Sequence, residues 1–515
     1  MPEESATLED FFSGKNIFIT GGTGFLGSVL IESLLSVSPK IGKIYVLVRD
    51  KNGNLADKRI QRMLSKPLFK NHSQEAFEKI VPVVGELTAE NLDFTPTVLH
   101  DITKNVNVIF HSAATIKFNS LLKTAIDINV LGTLRTIELA KKIDNLSAYV
   151  YLSTAFCNSN NRGLILEKVY PSLRDPYEMM KLAKTPNILP ENTNDSSVKE
   201  IIGAHPNTYT FTKQLAENLI VKEMTGMPVA IIRPSVVYGT YEHPVEGWVG
   251  NANSGHLGFL AGYVKGVFRT MTGNPSSVIA IIPCDYVINS SLAMAWYVGT
   301  RSIYQPEVIH CTSTHEENSI TLKELCDTFN KSAAVHPCDT FLWKPHCQLR
   351  NSFRYTLFFY LFHILPAMIV WIPEKITGLG KRRMSVLDAM KVFDRGTKAF
   401  DYFMNQDFQY SVKNSLRIMS MMTKSDAERY CFDAVQCNWN ELILRCFRGI
   451  RMFYFKESAD TTMRHKIIRK VAEVAYYLGF CVIYALLYLL WFIVLNNPIV
   501  AFVISSITII FLIWL

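Results

Sequence analysis

Paired cysteines at C-x-x-C spacing are missing from this sequence, whose ten cysteines are scattered without any regular pattern. Their absence excludes a ribbon-type zinc site and a disulfide framework, and it suits free thiols in a reducing compartment. No metal is expected. The opening stretch MPEESATLEDFF is acidic and lacks the apolar core of a secretory signal, so export is not expected. Internal repeats and low-complexity tracts are also lacking, which excludes a repeat architecture. A formal net charge of +8 is small for 515 residues. It argues against a nucleic-acid groove and fits a membrane surface or an anionic substrate better.

Charge is absent where apolar residues gather. Val474 to Leu495 reads VAYYLGFCVIYALLYLLWFIVL with no charged residue, long enough as a helix to cross about 30 Å of hydrocarbon. Asn496, Asn497 and Pro498 break the run, and Ile499 to Leu515 is apolar again. Two spans, or one span and a re-entrant hairpin, both fit. Arg464, His465, Lys466, Arg469 and Lys470 stand just before the run, a cluster that stays on the cytoplasmic side. The chain is therefore expected to be anchored to membrane lipid with its larger part in the cytosol. The last residues, Ile513-Trp514-Leu515, carry no S-K-L or K-D-E-L address, leaving endoplasmic reticulum and peroxisome both open.

Ahead of the tail, Lys15 to Val48 reads strand, glycine turn, helix, strand: KNIFIT, GGTGFLG, SVLIESLLSVSP, KIYVLV. Apolar runs at Ile80–Val84, Val106–Phe110, Ala148–Leu152 and Pro228–Ile232 continue the pattern, with helical periodicity between several of them, notably Lys123–Lys142. Strands alternating with helices predict an α/β fold, a doubly wound parallel sheet. From about Asn158 to Pro206 the periodicity is lost among Pro, Asn, Asp and Ser, an insertion expected on the substrate side. Tyr355–Ile372 is apolar, but His363 and Pro366 inside it favour a buried or interfacial helix pair over a span. Lys375, Lys381, Arg382 and Arg383 follow and suit anionic head groups. The expected division is residues 1–12 as a leading segment, 13–345 as the cofactor and substrate domain, 346–465 as a mainly helical domain and 474–515 as the anchor.

Thr20 to Gly27, TGGTGFLG, lies between the first strand and helix. Gly21, Gly24 and Gly27 permit a tight turn and close approach of a pyrophosphate to the helix N-terminus, so Thr20, Phe25 and Leu26 are expected beside a dinucleotide. The second strand ends on Arg49 rather than a carboxylate, with Asp50 next to it. Arg49, and Arg59 farther on, suit the 2′-phosphate of NADPH. Glu86 and Leu87 after the third strand are candidates for the adenine side, and His111, with Ser112-Ala113-Ala114, follows the fourth. Tyr209 and Lys213 share one helix face at i and i+4. The ammonium is expected to lower the phenol's pKa. Thr154, with Ser153 as the alternative, ends the strand YVYLSTAF, where a hydroxyl can hold a carbonyl. Asn129 is a candidate for orienting Lys213 through water.

Together TGGTGFLG, Arg49, FHSAAT, LSTAF, YTFTK and IIRPS resemble the extended short-chain dehydrogenase/reductase superfamily, with its Rossmann-type sheet. LVRDKNG, GWVGNANS, IPCDYVIN and the later FHILPA and CNWN are similar to alcohol-forming fatty acyl-CoA reductases with their C-terminal male-sterility domain. The resemblance implies Tyr209, Lys213 and Thr154 as catalytic residues. It also implies a reaction in which a long-chain acyl-CoA and two NADPH give a fatty alcohol and CoA. Lys265 and Arg269 are candidates for the CoA. The competing readings are a membrane-bound sterol or sugar-nucleotide dehydrogenase and a nucleotide-binding scaffold without turnover. No pattern sets the oligomeric state.

Overall fold

The computed structural model describes the whole chain except residues 1–5, 51–54, 191, 193–194, 251–254, 303–304, 314–317, 340–343, 366, 369–370, 372–384 and 515. Its centre is a seven-stranded sheet of β1 (Asn16–Thr20), β2 (Ile44–Val48), β3 (Ile80–Val84), β4 (Val106–His111), β5 (Ala148–Leu152), β6 (Val229–Pro234) and β7 (Glu307–Cys311), in the order β7-β6-β5-β4-β1-β2-β3. Every pairing is parallel. All five residues of β2 and of β5 are buried, as strands covered by helices on both faces must be. The order reverses between β1 and β4, which opens the crevice where doubly wound sheets take their ligands. The fold is therefore the Rossmann type that the pattern predicts.

Two helices matter most for that crevice. α1 (Phe25–Val37) starts at Gly24 directly after the glycine turn. α2 (Thr208–Met224) is capped by the Asn207 side chain, which accepts the Thr210 N–H, and it is buried along most of its length.

The helix expected over 123–142 is interrupted. It runs as Leu122–Ile126, a π-turn at Asp127–Leu131, then Gly132–Ala140. The supposedly patternless stretch before Pro206 also holds helices, Pro176–Lys184 and Ser196–Ile202, capped by Asp175 and Asp195. Each is two to three turns long and opens with cap residues, so its composition reads as loop while Met179, Met180 and Ala183 enter the core.

Residues group into two compact units whose segments interleave: 1–251, 278–320 and 407–446 in one, 252–277, 321–406 and 447–515 in the other. Where a simple succession is expected, 252–277 and 321–345 group with the second unit and 407–446 with the sheet-bearing one. Leu8, Phe11 and Phe12 are buried there as well, so the helix Leu8–Phe12 contributes to that unit's core.

In the second unit, Ser352–Phe359 is helical and passes into a π-turn at Tyr360–Ile364. Tyr355, Phe358, Phe359 and His363 are buried, while Phe353 and Tyr360 are 73% and 59% exposed. One face packs and the other is open, as in an amphipathic helix at a surface or interface. Lys375, Lys381, Arg382 and Arg383 lie outside the described residues.

The tail forms α3 (Met463–Leu495) and α4 (Pro498–Trp514). α3 is one helix long and apolar enough to cross a membrane, with mean hydropathy 2.6 in its apolar window. α4 folds back along it, with the Tyr484 hydroxyl 3.2 Å from that of Ser506.

At the foot of α3, Asp339, Glu457 and His465 bring ligand atoms within 4.8 Å of one another. The buried Arg451 guanidinium lies 3.0 Å from His465 Nε2 and 3.4 Å from Glu457 Oε2, and Lys265 Nζ lies 2.7 Å from Glu457 Oε1. Both cations meet Glu457, and Asp339 Oδ1 lies 2.9 Å from His465 Nε2, so the cluster braces the helix start.

Candidate active site

The glycine turn is built by contact. Gly21 has φ +76°, and a Cβ there would stand 2.8 Å from Ala113 N; a Cβ on Gly27 would stand 2.3 Å from the Gly21 carbonyl. α1 can therefore start against the turn only because both positions lack side chains. The Thr20 hydroxyl lies 2.7 Å from His111 Nδ1 and accepts the Ala113 N–H at 3.2 Å, while Ser112 Oγ donates to the Thr20 carbonyl at 2.7 Å. These bonds join the ends of β1 and β4. Phe25 and Leu26 open α1, half-buried. A Cβ on Gly250 would meet the Phe25 ring at 2.6 Å, so the GWVG segment lies over the first turn of α1.

Beyond β2, Arg49 is an exposed guanidinium 3.9 Å from Glu86. Arg59 donates to the Arg49 carbonyl at 2.6 Å and to Thr23 Oγ1 at 3.1 Å. Burial and the neighbouring Arg49 charge lower the Arg59 pKa. The two cations thus stand together beside the glycine turn. Asp50 is drawn aside, accepting the Ala56 N–H at 2.9 Å at the start of the next helix. Leu87 differs from expectation: its side chain is in the core against Gly132.

Thr154, Tyr209 and Lys213 converge at the carboxyl end of β5. Thr154 hydrogen-bonds the Tyr209 phenol; enclosure of that phenol raises its pKa, and the Thr154 bond opposes the rise. Phe118 stacks on the Tyr209 ring at 5.9 Å between centroids. Lys213 is 2% exposed, with Nζ donating to the Leu152 carbonyl at 2.7 Å and the Tyr151 hydroxyl at 3.2 Å. Burial pushes its ammonium down to about 7, against the pull of Glu217 and Cys157. The expected lowering of the phenol by Lys213 is not what this geometry produces: the ammonium is held by β5, and burial dominates at Tyr209.

Three other candidates are placed differently. The Ser153 hydroxyl turns away from Tyr209 and donates to Glu217 Oε1 at 2.5 Å. His111 is buried, with Nδ1 on Thr20 and Nε2 3.1 Å from Thr133 Oγ1; burial, then Lys213, lowers it to about 3, so it is a neutral brace. Asn129, inside the π-turn, accepts from Thr115 N and donates to Thr115 O and Thr212 Oγ1. Its amide is committed to holding that loop on α2. Of the CoA candidates, Lys265 pairs with Glu457 and Arg269 donates to the Phe362 carbonyl.

Sequence reasoning missed Thr23, Tyr151, Glu217 and Arg233. The last two carried a signal: Glu217 follows Lys213 by four residues on one helix, and Arg233 is a charge inside an apolar strand.

A family model described as male sterility protein matches residues 19–291, and another of the same description matches 362–457. A putative fatty acyl-CoA reductase of Drosophila melanogaster is 60% identical over 94% of this chain and 89% of its own. The chain belongs to the fatty acyl-CoA reductase family. Fatty acyl-CoA reductase 1 of Gallus gallus is 32% identical over 94% of this chain and 93% of its own. Among solved structures, the terminal R domain of the myxalamid biosynthetic pathway superposes with TM-score 0.56 at 18% identity, covering 87% of this chain and 93% of that one; at that identity the likeness speaks for the fold. As a member of this reductase family the chain is an oxidoreductase that uses a nicotinamide cofactor.

Proposed function

We propose that this chain reduces a long-chain fatty acyl-CoA to the primary alcohol with two NADPH, through an aldehyde that stays bound. The observation that carries the reading is the convergence of Thr154, Tyr209 and Lys213 beside the sheet's switch point. Gly21 and Gly27 hold a cradle that a Cβ would fill, which fits a pyrophosphate. Arg49 and Arg59 offer a paired cationic site that fits a 2′-phosphate. The cofactor, when bound, supplies the hydride.

The protein's own groups then act on charge and protons. Thr154 and Tyr209 donate hydrogen bonds to the carbonyl oxygen as it becomes an oxyanion, the point of greatest need. The hemithioacetal expels a thiolate whose conjugate acid has a pKa of roughly 8.5, so departure needs no strong acid. In the second reduction Tyr209 gives its proton to the alkoxide. The α3–α4 hairpin anchors the chain to the endoplasmic reticulum or peroxisome membrane, where an acyl tail partitions, with the reductase on the cytosolic side.

The test is stoichiometry with detergent-solubilised protein. About two NADPH consumed per acyl-CoA, with alcohol as product, is expected from two hydride transfers. Release of aldehyde at one NADPH would overturn the alcohol-forming claim.

A further inference from the structure

Glu217 is wholly buried, yet the reduction as derived makes no use of it. It lies one turn beyond Lys213 and two beyond Tyr209 on the same face of α2. Its Oε1 accepts from Ser153 Oγ at 2.5 Å, Arg233 Nε at 2.9 Å and Cys157 Sγ at 3.2 Å, and its Oε2 from Arg233 Nη2 at 2.6 Å. Arg233, next to last in its own strand β6, is itself held by the Lys168 carbonyl at 2.8 Å and lies 3.2 Å from His310 Nε2. One carboxylate therefore ties α2 to the ends of β5 and β6. Ser153 directly precedes Thr154.

We infer that Glu217 is a positioning residue of this site: it anchors the Ser153–Thr154 strand end and supplies the counter-charge of the Lys213 ammonium. The inference rests on reading Thr154, Tyr209 and Lys213 as the catalytic set. Lys213's own bonds go to neutral groups, a carbonyl and a phenol. The titratable groups around it are His111 from β4, Tyr151 from β5, Cys157 from the turn after β5, Arg233 from β6, and Tyr209 and Glu217 from α2. Burial disfavours a cation there, and Glu217 and then Cys157 favour it. A buried ammonium without that carboxylate sheds its proton at lower pH.

The experiment is the pH profile of kcat for wild type and Glu217→Gln, which keeps the shape and the acceptor for Ser153. Wild-type kcat falls on the alkaline side as Lys213 loses its proton. In Glu217→Gln that limb moves down by about one pH unit or more, whereas a merely structural role lowers kcat at every pH alike and leaves the limb in place. The single variant strands a buried guanidinium, which destabilises strongly, so if it does not fold the double variant Glu217→Gln/Arg233→Met is read against Arg233→Met, which lacks the same guanidinium, and its limb should lie lower by a similar amount. An unmoved limb in a folded variant overturns the counter-charge role.

Ser153→Ala cuts the anchor alone. It should lower kcat about tenfold with NADPH affinity and the limb unchanged, the order of one lost hydrogen bond; full kcat overturns the anchoring role. Failure of the underlying reading looks different: Lys213→Met is then active and wild type has no alkaline limb.

Discussion

Burial changes what a single residue can do, and Tyr209 is the instance on which the proposed chemistry turns. Its phenol is pushed above the ordinary range by enclosure and is relieved by Thr154; the Lys213 ammonium is bonded to β5 instead. Tyr209 therefore remains protonated across the working pH range, as the proposed donor role requires. Tyr209→Phe is expected to lower kcat by at least about a hundredfold, the usual worth of a positioned acid, while NADPH binding followed by fluorescence stays nearly intact. Full activity would remove Tyr209 from the site.

At the other end of the cofactor cradle, each charge-assisted contact to a phosphate contributes about 1.5–3 kcal/mol. Arg49→Ala should therefore weaken NADPH by about ten- to a hundredfold and NADH little. Equal losses in a titration of both nucleotides would deny Arg49 its 2′-phosphate role. The residue types at these positions were legible in the chain. The directions of their side chains were not, as Ser153 facing Glu217 and Leu87 facing the core show.

Among the elements, the strand–turn–helix unit from β1 to α1 tolerates the least change. A Cβ on Gly27 would lie 2.3 Å from the Gly21 carbonyl and 2.6 Å from Gly22 Cα, both backbone atoms that cannot swing aside. Gly27→Ala should therefore push α1 off the turn and abolish measurable NADPH binding; binding at wild-type strength would show that the loop is slack.

A second constraint lies under the loop that leads to the GWVG segment. Asp285 accepts the N–H groups of Tyr241, Glu242 and His243 at 2.8, 2.9 and 3.2 Å. Asp285→Ala strands three donors, at about 1–3 kcal/mol for each that stays buried. A fall in Tm of about 5 °C or more is expected by scanning calorimetry, and an unchanged Tm would mean that water replaces the carboxylate. The main strands were readable from periodicity because each is a short apolar run between turns. The π-turn at Asp127–Leu131 left no mark in the sequence, since one extra residue per turn hardly alters the apolar period.

At the scale of the whole molecule, α3 has 33 residues, about 50 Å of helix at 1.5 Å per residue. That exceeds a hydrocarbon core of about 30 Å, and the surplus is the basic first turns braced by Arg451 and Glu457. A chain ending at Glu473 keeps that brace and loses the apolar hairpin. It should leave the membrane pellet for the soluble fraction after carbonate washing, and still oxidise NADPH with a short, soluble acyl-CoA. A truncated chain that stays in the pellet would deny the hairpin its anchoring role.

The sequence by itself determined the parallel sheet, the glycine cradle, the apolar tail and the candidate set Thr154, Tyr209 and Lys213. Each is encoded locally, by the spacing of apolar residues or of one functional pair on one element. Only the tertiary structure decided that Glu217 and Arg233 form a buried pair behind the site, that His111 and Asn129 brace rather than bind, and that 407–446 rejoins the sheet-bearing unit. Those are contacts between residues distant along the chain, and no local period records which of them meet.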